Sequence, residues 1–325
     1  MTSYRLDGLF HLRSPLSHIG ETISATSYLV QEKILQEDGR TEDVFVYSGN
    51  AWRGQLRDLI AAYMLDHIGS PRLGIDAFHL LFSGGRIGGA QSVDIEQARR
   101  MRAVIPAIAL LGGGVGNQIL EGKLRVGNCY PLCAEAIPVL PARLHDRAAK
   151  IPYASCIFEK QHSRRDDSKI ESVRRYLAGP EEQLLLGVAT PPKAKEKPDE
   201  NRAPDQMRIG MELVCPGVAL YTWMTMRDLS PVDLGALVSG LHAFSAAPLI
   251  GGKSAIGYGL VDLDYEITDT ETGETHPFVK VTDGVSLLSK PAEDAKAAYD
   301  AHLRQLYDQM LTSQKGNIIK LLGGA

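Results

Sequence analysis

Bulky apolar residues alternate with polar ones from Tyr4 to Arg13 and again from Leu260 to Ile267, the period of a half-buried strand early and late in the chain. Between them the period changes to that of helices. Trp52, Leu56, Leu59, Ile60, Tyr63 and Met64 share one side of a helix that starts at Ala51 behind Asn50, a good cap, and stops near Gly69. A second helix is predicted from Asp94 to Leu111, with Asp94 and Glu96 at its favourable end and Gly112, Gly113 and Gly114 ending it. Extended stretches follow through Cys129 and Tyr130, over Met207 to Val214, and over Ala219 to Arg227, the last two separated by the turn Cys215-Pro216-Gly217. Helices from Pro231 to Ser245, capped by Ser230, and from Ala292 to Thr312 complete the pattern. The core order is strand, helix, strand region, strand, helix, strand. That order predicts the α+β class and the split βαβ, or ferredoxin-like, plan on which RNA-recognition domains are built.

The insertions are large. Residues 1–325 read as one elaborated domain, with an insertion and sheet continuation over 68–160 and the second half of the core over 207–268. Between them, 160–206 gathers charges of both signs and the prolines Pro191, Pro192, Pro198 and Pro204, and reads as an exposed, mobile excursion.

Net charge at pH 7 is −4, the wrong sign for the usual footprint of a nucleic-acid-binding protein, but its distribution is uneven. From Leu140 to Arg175 nine Lys and Arg face five acids, and from Asp262 to Ala325 eleven acids face six bases. A chain with one positive stretch and one negative end can hold a polyanion while attracting its own copies head to tail. No apolar run suits a secretory leader or a membrane span, and the four cysteines are too unevenly spaced for a disulfide framework or a paired zinc knuckle. A reduced, cytoplasmic protein without metal or cofactor is the expectation.

Two stretches carry candidate chemistry. In Ser48-Gly49-Asn50-Ala51-Trp52-Arg53-Gly54-Gln55-Leu56-Arg57-Asp58 a strand delivers the chain to a helix start whose N–H groups favour an anion. Arg53 and Arg57 are four apart and repel unless something negative lies between them, which a phosphate supplies. Alternatively, they are surface arginines, one of them paired with Asp58. In Leu249 to Gly259, Gly251, Gly252, Gly257 and Gly259 permit close approach of a ligand to the main chain, and Lys253 and Ser254 add a charge and a hydroxyl. A nucleotide-binding P-loop is excluded, because Ala247 stands where that motif needs glycine. His18, in the polar loop after the first strand, is either a ligand for phosphate or ribose or a plain loop histidine.

With Arg13-Ser14-Pro15-Leu16-Ser17-His18-Ile19-Gly20, the segment Ser48 to Arg57, and the loop ending Ile256-Gly257-Tyr258-Gly259-Leu260-Val261, the chain resembles the RAMP superfamily. Within it the likeness is to the Cas-seven-like backbone subunits of class 1 CRISPR effectors, closest in flavour to type IV and next to type III. The resemblance implies an RNA-recognition-type palm, a finger-type insertion, read over 68–160, and a thumb, which charge and composition place within 160–206. It also implies a non-catalytic antiviral-defence subunit that coats a guide RNA (crRNA) in a helical ribonucleoprotein filament. Its partners would be the guide, a target nucleic acid paired to it, copies of itself head to tail and other effector subunits, with no membrane. At matching positions His18, Ser48, Asn50, Arg53, Arg57, Lys253 and Ser254 would touch the guide backbone. Gly251 and Gly252 join them as the close-approach glycines, and Arg164, Arg165 and Arg174 by charge alone. Related type III subunits that cut RNA use an aspartate after the first strand, and Glu21 to Ser27 contains none. Two other readings stay open: a RAMP endonuclease using His18 or His162 as acid–base catalyst, and a metabolic enzyme holding a small phosphorylated ligand at the glycine-rich loop.

Overall fold

A strand that alternates as Leu6, Phe10 and Leu12 do against Arg5, Asp7 and His11 must cover one face, and the covered set is 0–2% exposed. In the computed structural model, which describes residues 2–86, 88, 94–163 and 208–312, this is the central strand β1 (Thr2–Leu12). It pairs antiparallel on one side with β12 (Ala219–Leu229) and on the other with β13 (Val261–Asp269). The far edge of β12 carries the short β8 (Leu124–Val126) and β9 (Tyr130–Pro131), while β13 continues into β14 (Thr275–Thr282) and β15 (Val285–Leu288). The spatial order β13-β1-β12-β8 puts the first core strand between the third and the fourth, as the ferredoxin-like plan requires.

Both core helices lie on one face. Helix α1 (Gly49–His67) follows β1, and α6 (Pro231–Phe244) links β12 to β13. The Trp52 ring meets Phe10 of β1 and Phe244 of α6 edge-on at 5.2 and 5.0 Å, tying strand and both helices together. Its indole N–H donates to the Tyr265 hydroxyl at 3.1 Å, and Thr222 shares that hydroxyl at 3.0 Å. At Gly240 an added Cβ would lie 2.5 Å from Ile60, so α1 and α6 pack at backbone distance. The C-terminal helix α7 (Lys290–Thr312) seats on Gly235 in the same way. Among the described residues, no helix is long and apolar enough to cross a membrane.

The insertions build smaller units. The hairpin β2 (Ile19–Ile23) and β3 (Thr26–Leu29) joins β11 (Arg208–Val214) and β10 (Ile157–Ser163) in a four-stranded sheet, with β3 and β11 parallel. Strands β4 (Gln31–Leu35) and β5 (Thr41–Phe45) form one hairpin, and β6 (Gly113–Val115) and β7 (Gln118–Leu120) another. Helix α2 (Ile75–Ser83) has no counterpart in the sequence reading.

Two local expectations change. The single helix over 94–111 is two, α3 (Ile95–Val104) and α4 (Pro106–Leu111), because Pro106 forces Ile105 into extended geometry at φ −117° and ψ 92°. The N-cap of α1 is Ser48 rather than Asn50: the Ser48 hydroxyl accepts the Asn50 N–H at 3.2 Å, leaving the Asn50 side chain exposed in the first turn. A four-residue turn, α5 (His145–Ala148), lies between β9 and β10. Cys129, Cys133 and Cys156 are buried and Cys215 partly so, all as free thiols.

Candidate nucleic-acid interface

The loop after β1 is pinned on two sides. Leu16 exchanges both backbone hydrogen bonds with Val214 at the end of β11, at 3.1 and 3.0 Å. Gly252 N–H donates to Ser17 at 2.7 Å, Gly259 N–H to Pro15 at 2.8 Å, and Leu260 N–H to the Ser14 hydroxyl at 2.8 Å. The glycine-rich loop is thereby laid along Ser14 to Ser17, although the two segments are more than 230 residues apart in sequence.

The glycines divide into two kinds. At Gly251 (φ +73°) a Cβ would sit 2.5 Å from the Ser17 carbonyl oxygen, and at Gly259 (φ +82°) 1.9 Å from that of Ile250. These two are needed for the loop to fold and to reach its neighbour. At Gly252 and Gly257 no neighbour crowds in, since a side chain would meet only the Ser17 oxygen at 3.6 Å in one case and open space in the other, although Gly257 is itself left-handed at φ +81°. Their N–H groups are bonded within the protein, Gly252 to Ser17 at 2.7 Å and Gly257 to Ser254 at 2.8 Å, so these two glycines leave a ligand room beside the loop rather than free donors. Between them Lys253 takes a left-handed conformation, φ 62° and ψ 29°, uncommon for a residue with a side chain.

His18 reaches the third segment. Its Nε2 accepts the Ser48 N–H at 3.4 Å, and its ring lies edge-on to Tyr47 at 5.0 Å. Burial lowers the imidazole pKa below the usual value, so the ring is neutral near pH 7. With Nε2 accepting, Nδ1 carries the proton and is the donor available to a ligand. Ser48 then opens α1, where Gly49 N–H is taken by the Asn128 side chain at 2.9 Å and Asn50 N–H by Ser48. The expectation that free N–H groups at this helix start hold an anion is therefore corrected: the protein itself satisfies two of them.

These three segments enclose one cleft of about 580 Å³. His18 lines it from the first loop, Leu249, Gly251 and Ser254 from the glycine-rich loop, and Asn50, Ala51, Gly54, Gln55 and Asp58 from α1. Gln55 donates to the Leu249 carbonyl at 2.7 Å and fixes the helix to the loop. Asn50, Gly54 and Asp58 recur every fourth residue, so they form one stripe along α1. Gln55 and Asp58 were missed as site residues in the sequence, although that spacing was the signal that marks the stripe. A larger groove of about 800 Å³ lies between the β4–β5 hairpin and residues 134–145, and none of the residues singled out in the sequence lines it.

Arg53 and Arg57 face a different neighbour. Arg57 is 8% exposed and donates to the carbonyls of Leu111 at 2.8 Å and Gly112 at 3.1 Å, and Arg53 also donates to Leu111, at 2.5 Å. The negative partner that their spacing calls for is thus the carbonyl end of α4, and neither side chain lines the cleft. Asp58 is not paired with either by a hydrogen bond or salt bridge among the described residues. His162 is exposed on β10, also outside the cleft. Arg164, Arg165 and Arg174, with the excursion to residue 206, lie outside the described residues. Among the described residues, no group of three His, Cys, Asp or Glu is arranged to hold a metal ion.

No protein-family model matches the chain, and no curated protein does. Among solved structures it is similar in fold to a chain of a Type IV-B CRISPR complex, at a TM-score of 0.56 and 18% identity, over 82% of this chain and 91% of that one.

Proposed function

We propose that this chain is a guide-RNA-binding backbone subunit of a CRISPR ribonucleoprotein complex, most akin to type IV, which lines up copy after copy along the RNA and presents its bases for pairing. The observation that carries the reading is the convergence of the loop after β1, the start of α1 and the glycine-rich loop on one cleft. The fold shared with a chain of a Type IV-B CRISPR complex supports it. In this reading the phosphodiester backbone lies beside the glycine-rich loop, where Gly252 and Gly257 carry no side chain to obstruct it. Lys253 supplies the charge, Ser254, Asn50 and His18 donate hydrogen bonds, and Ser48 and Gly251 shape the site from behind. Arg164, Arg165 and Arg174 add a non-specific attraction. The subunit works in the cytoplasm and cuts nothing. Arg57, spent on α4, is a stabilising residue rather than an RNA ligand.

The test is binding of unrelated single-stranded RNAs at several salt concentrations, with electron microscopy of the protein co-expressed with its guide. Affinity that is indifferent to sequence and falls steeply with salt, and particles that lengthen with the RNA, are expected. Failure to bind RNA at low ionic strength overturns the reading, and so does site-specific cleavage of a repeat RNA that disappears with His18→Ala.

A further inference from the structure

A carboxylate is an odd thing to find in a cleft meant for a phosphate chain. Asp58 lines the same cleft as Asn50 and Ser254, is exposed, and makes no hydrogen bond or ion pair among the described residues. The adjacent Arg57 does not neutralise it by contact, because that guanidinium is committed to Leu111 and Gly112. An ionised carboxylate only accepts hydrogen bonds and repels phosphate oxygens, so the part of a ligand next to it has to be a donor, and the donors of a nucleic acid are neutral.

The stripe on α1 orders the rest. Asn50 and Asp58 are eight residues apart, about 12 Å along the helix axis, and midway between them Gly54 leaves open space where a side chain would stand. His18, which meets Ser48, and Asn50 line the cleft at the helix start, and Ser254 lines it from the glycine-rich loop, next in sequence to the cation Lys253. A nucleotide seated with its phosphate at that end and its sugar over Gly54 brings the sugar edge to Asp58. On a ribose, the neutral donor at that edge is the 2′-hydroxyl, the group that distinguishes RNA from DNA.

Building on the RNA-binding reading above, we propose that Asp58 is the residue that selects RNA over DNA, its carboxylate accepting a hydrogen bond from a ribose 2′-hydroxyl in the cleft. Partial desolvation raises the Asp58 pKa, with Arg57 opposing, which marks a carboxylate already withdrawn in part from water before any ligand arrives.

The experiment compares fluorescence-anisotropy titrations of one sequence as RNA and as 2′-fluoro RNA, which lacks the donor, against the wild type, Asp58→Ala and Asp58→Asn. The wild type is expected to prefer RNA by at least about tenfold, the scale of one hydrogen bond to a charged group. Asp58→Ala should bring that ratio close to one by weakening RNA while leaving 2′-fluoro RNA bound as well or better, since a repulsive charge has gone. Asp58→Asn should fall between, as its amide oxygen still accepts. Because Asp58 is exposed and unpartnered, the variants should melt with the wild type. A wild-type preference unchanged in Asp58→Ala overturns this proposal and leaves the RNA-binding reading standing; binding of neither oligomer overturns both.

Discussion

The guanidinium of Arg57 donates to the backbone carbonyl of Leu111 across 2.8 Å, joining the third turn of α1 to the last residue of α4. Burial and the neighbouring Arg53 pull its pKa below the usual range. The carbonyl end of a helix is a favourable place for such a charge. Removing it strands the buried Gly112 carbonyl and leaves that of Leu111 to Arg53 alone. Arg57→Ala should therefore lower the unfolding free energy by about 2–3 kcal/mol, read as a drop in the urea midpoint. Arg57→Lys should recover part of this, since one ammonium cannot fork across both carbonyls. The RNA affinity of the lysine variant should stay within about twofold of wild type, the range of a residue that touches no ligand.

Lys253 separates stability from binding in the opposite direction. A left-handed residue with a Cβ costs roughly 1–2 kcal/mol, and glycine escapes that cost while adding some entropy to the unfolded chain. Lys253→Gly should leave stability unchanged or raise it by up to about 1 kcal/mol. It should also weaken RNA binding and make the slope of log K against log salt shallower by about 0.7 per copy, the value for one lost contact to a single strand. A variant that is more stable and binds with an unchanged salt slope would remove Lys253 from the interface.

Histidine titration sets a third expectation. Burial lowers the pKa of His11, His18 and His242 below the ordinary histidine value, with Arg147 adding to the effect at His11 and Lys296 at His242. Each binds its proton more readily in the unfolded chain. Their contribution to stability is thus complete above about pH 6.5 and is lost as pH falls through the lower folded values. Urea midpoints measured at pH 7, 6 and 5 should decline, and His18→Gln, which keeps an acceptor for the Ser48 N–H, should make the decline shallower.

The alternation of Tyr4 to Arg13 and of Leu260 to Ile267 was enough to define the first and last strands of the four-strand core, which lie side by side, because each strand has one face in the core and one toward polar surroundings. Helix α1 was legible from its apolar side, and α6, buried on nearly all sides, from its cap Ser230. Less legible was anything set by a partner distant in sequence. Asn50 and Ser48 are both good caps, and the choice between them rests on where Asn128 and His18 arrive. Arg53 and Arg57 looked available because the carbonyls that take them belong to a helix fifty residues away. The glycine-rich loop was recognisable by composition, yet that Gly251 and Gly259 are crowded by a neighbouring carbonyl while Gly252 and Gly257 are not depends on where Ser17 and Ile250 lie. Gln55 was passed over as an ordinary helix residue, and Asp58 because the sequence already offered it a partner in one of the arginines.

The seating of Gly259 on Pro15 has a bearing on biosynthesis. As the chain leaves the ribosome, the opening loop waits through some 240 residues of translation before the segment that closes the cleft emerges. A nascent chain lacking that segment has no groove to offer, so incomplete copies would be excluded from ligand without any separate quality control.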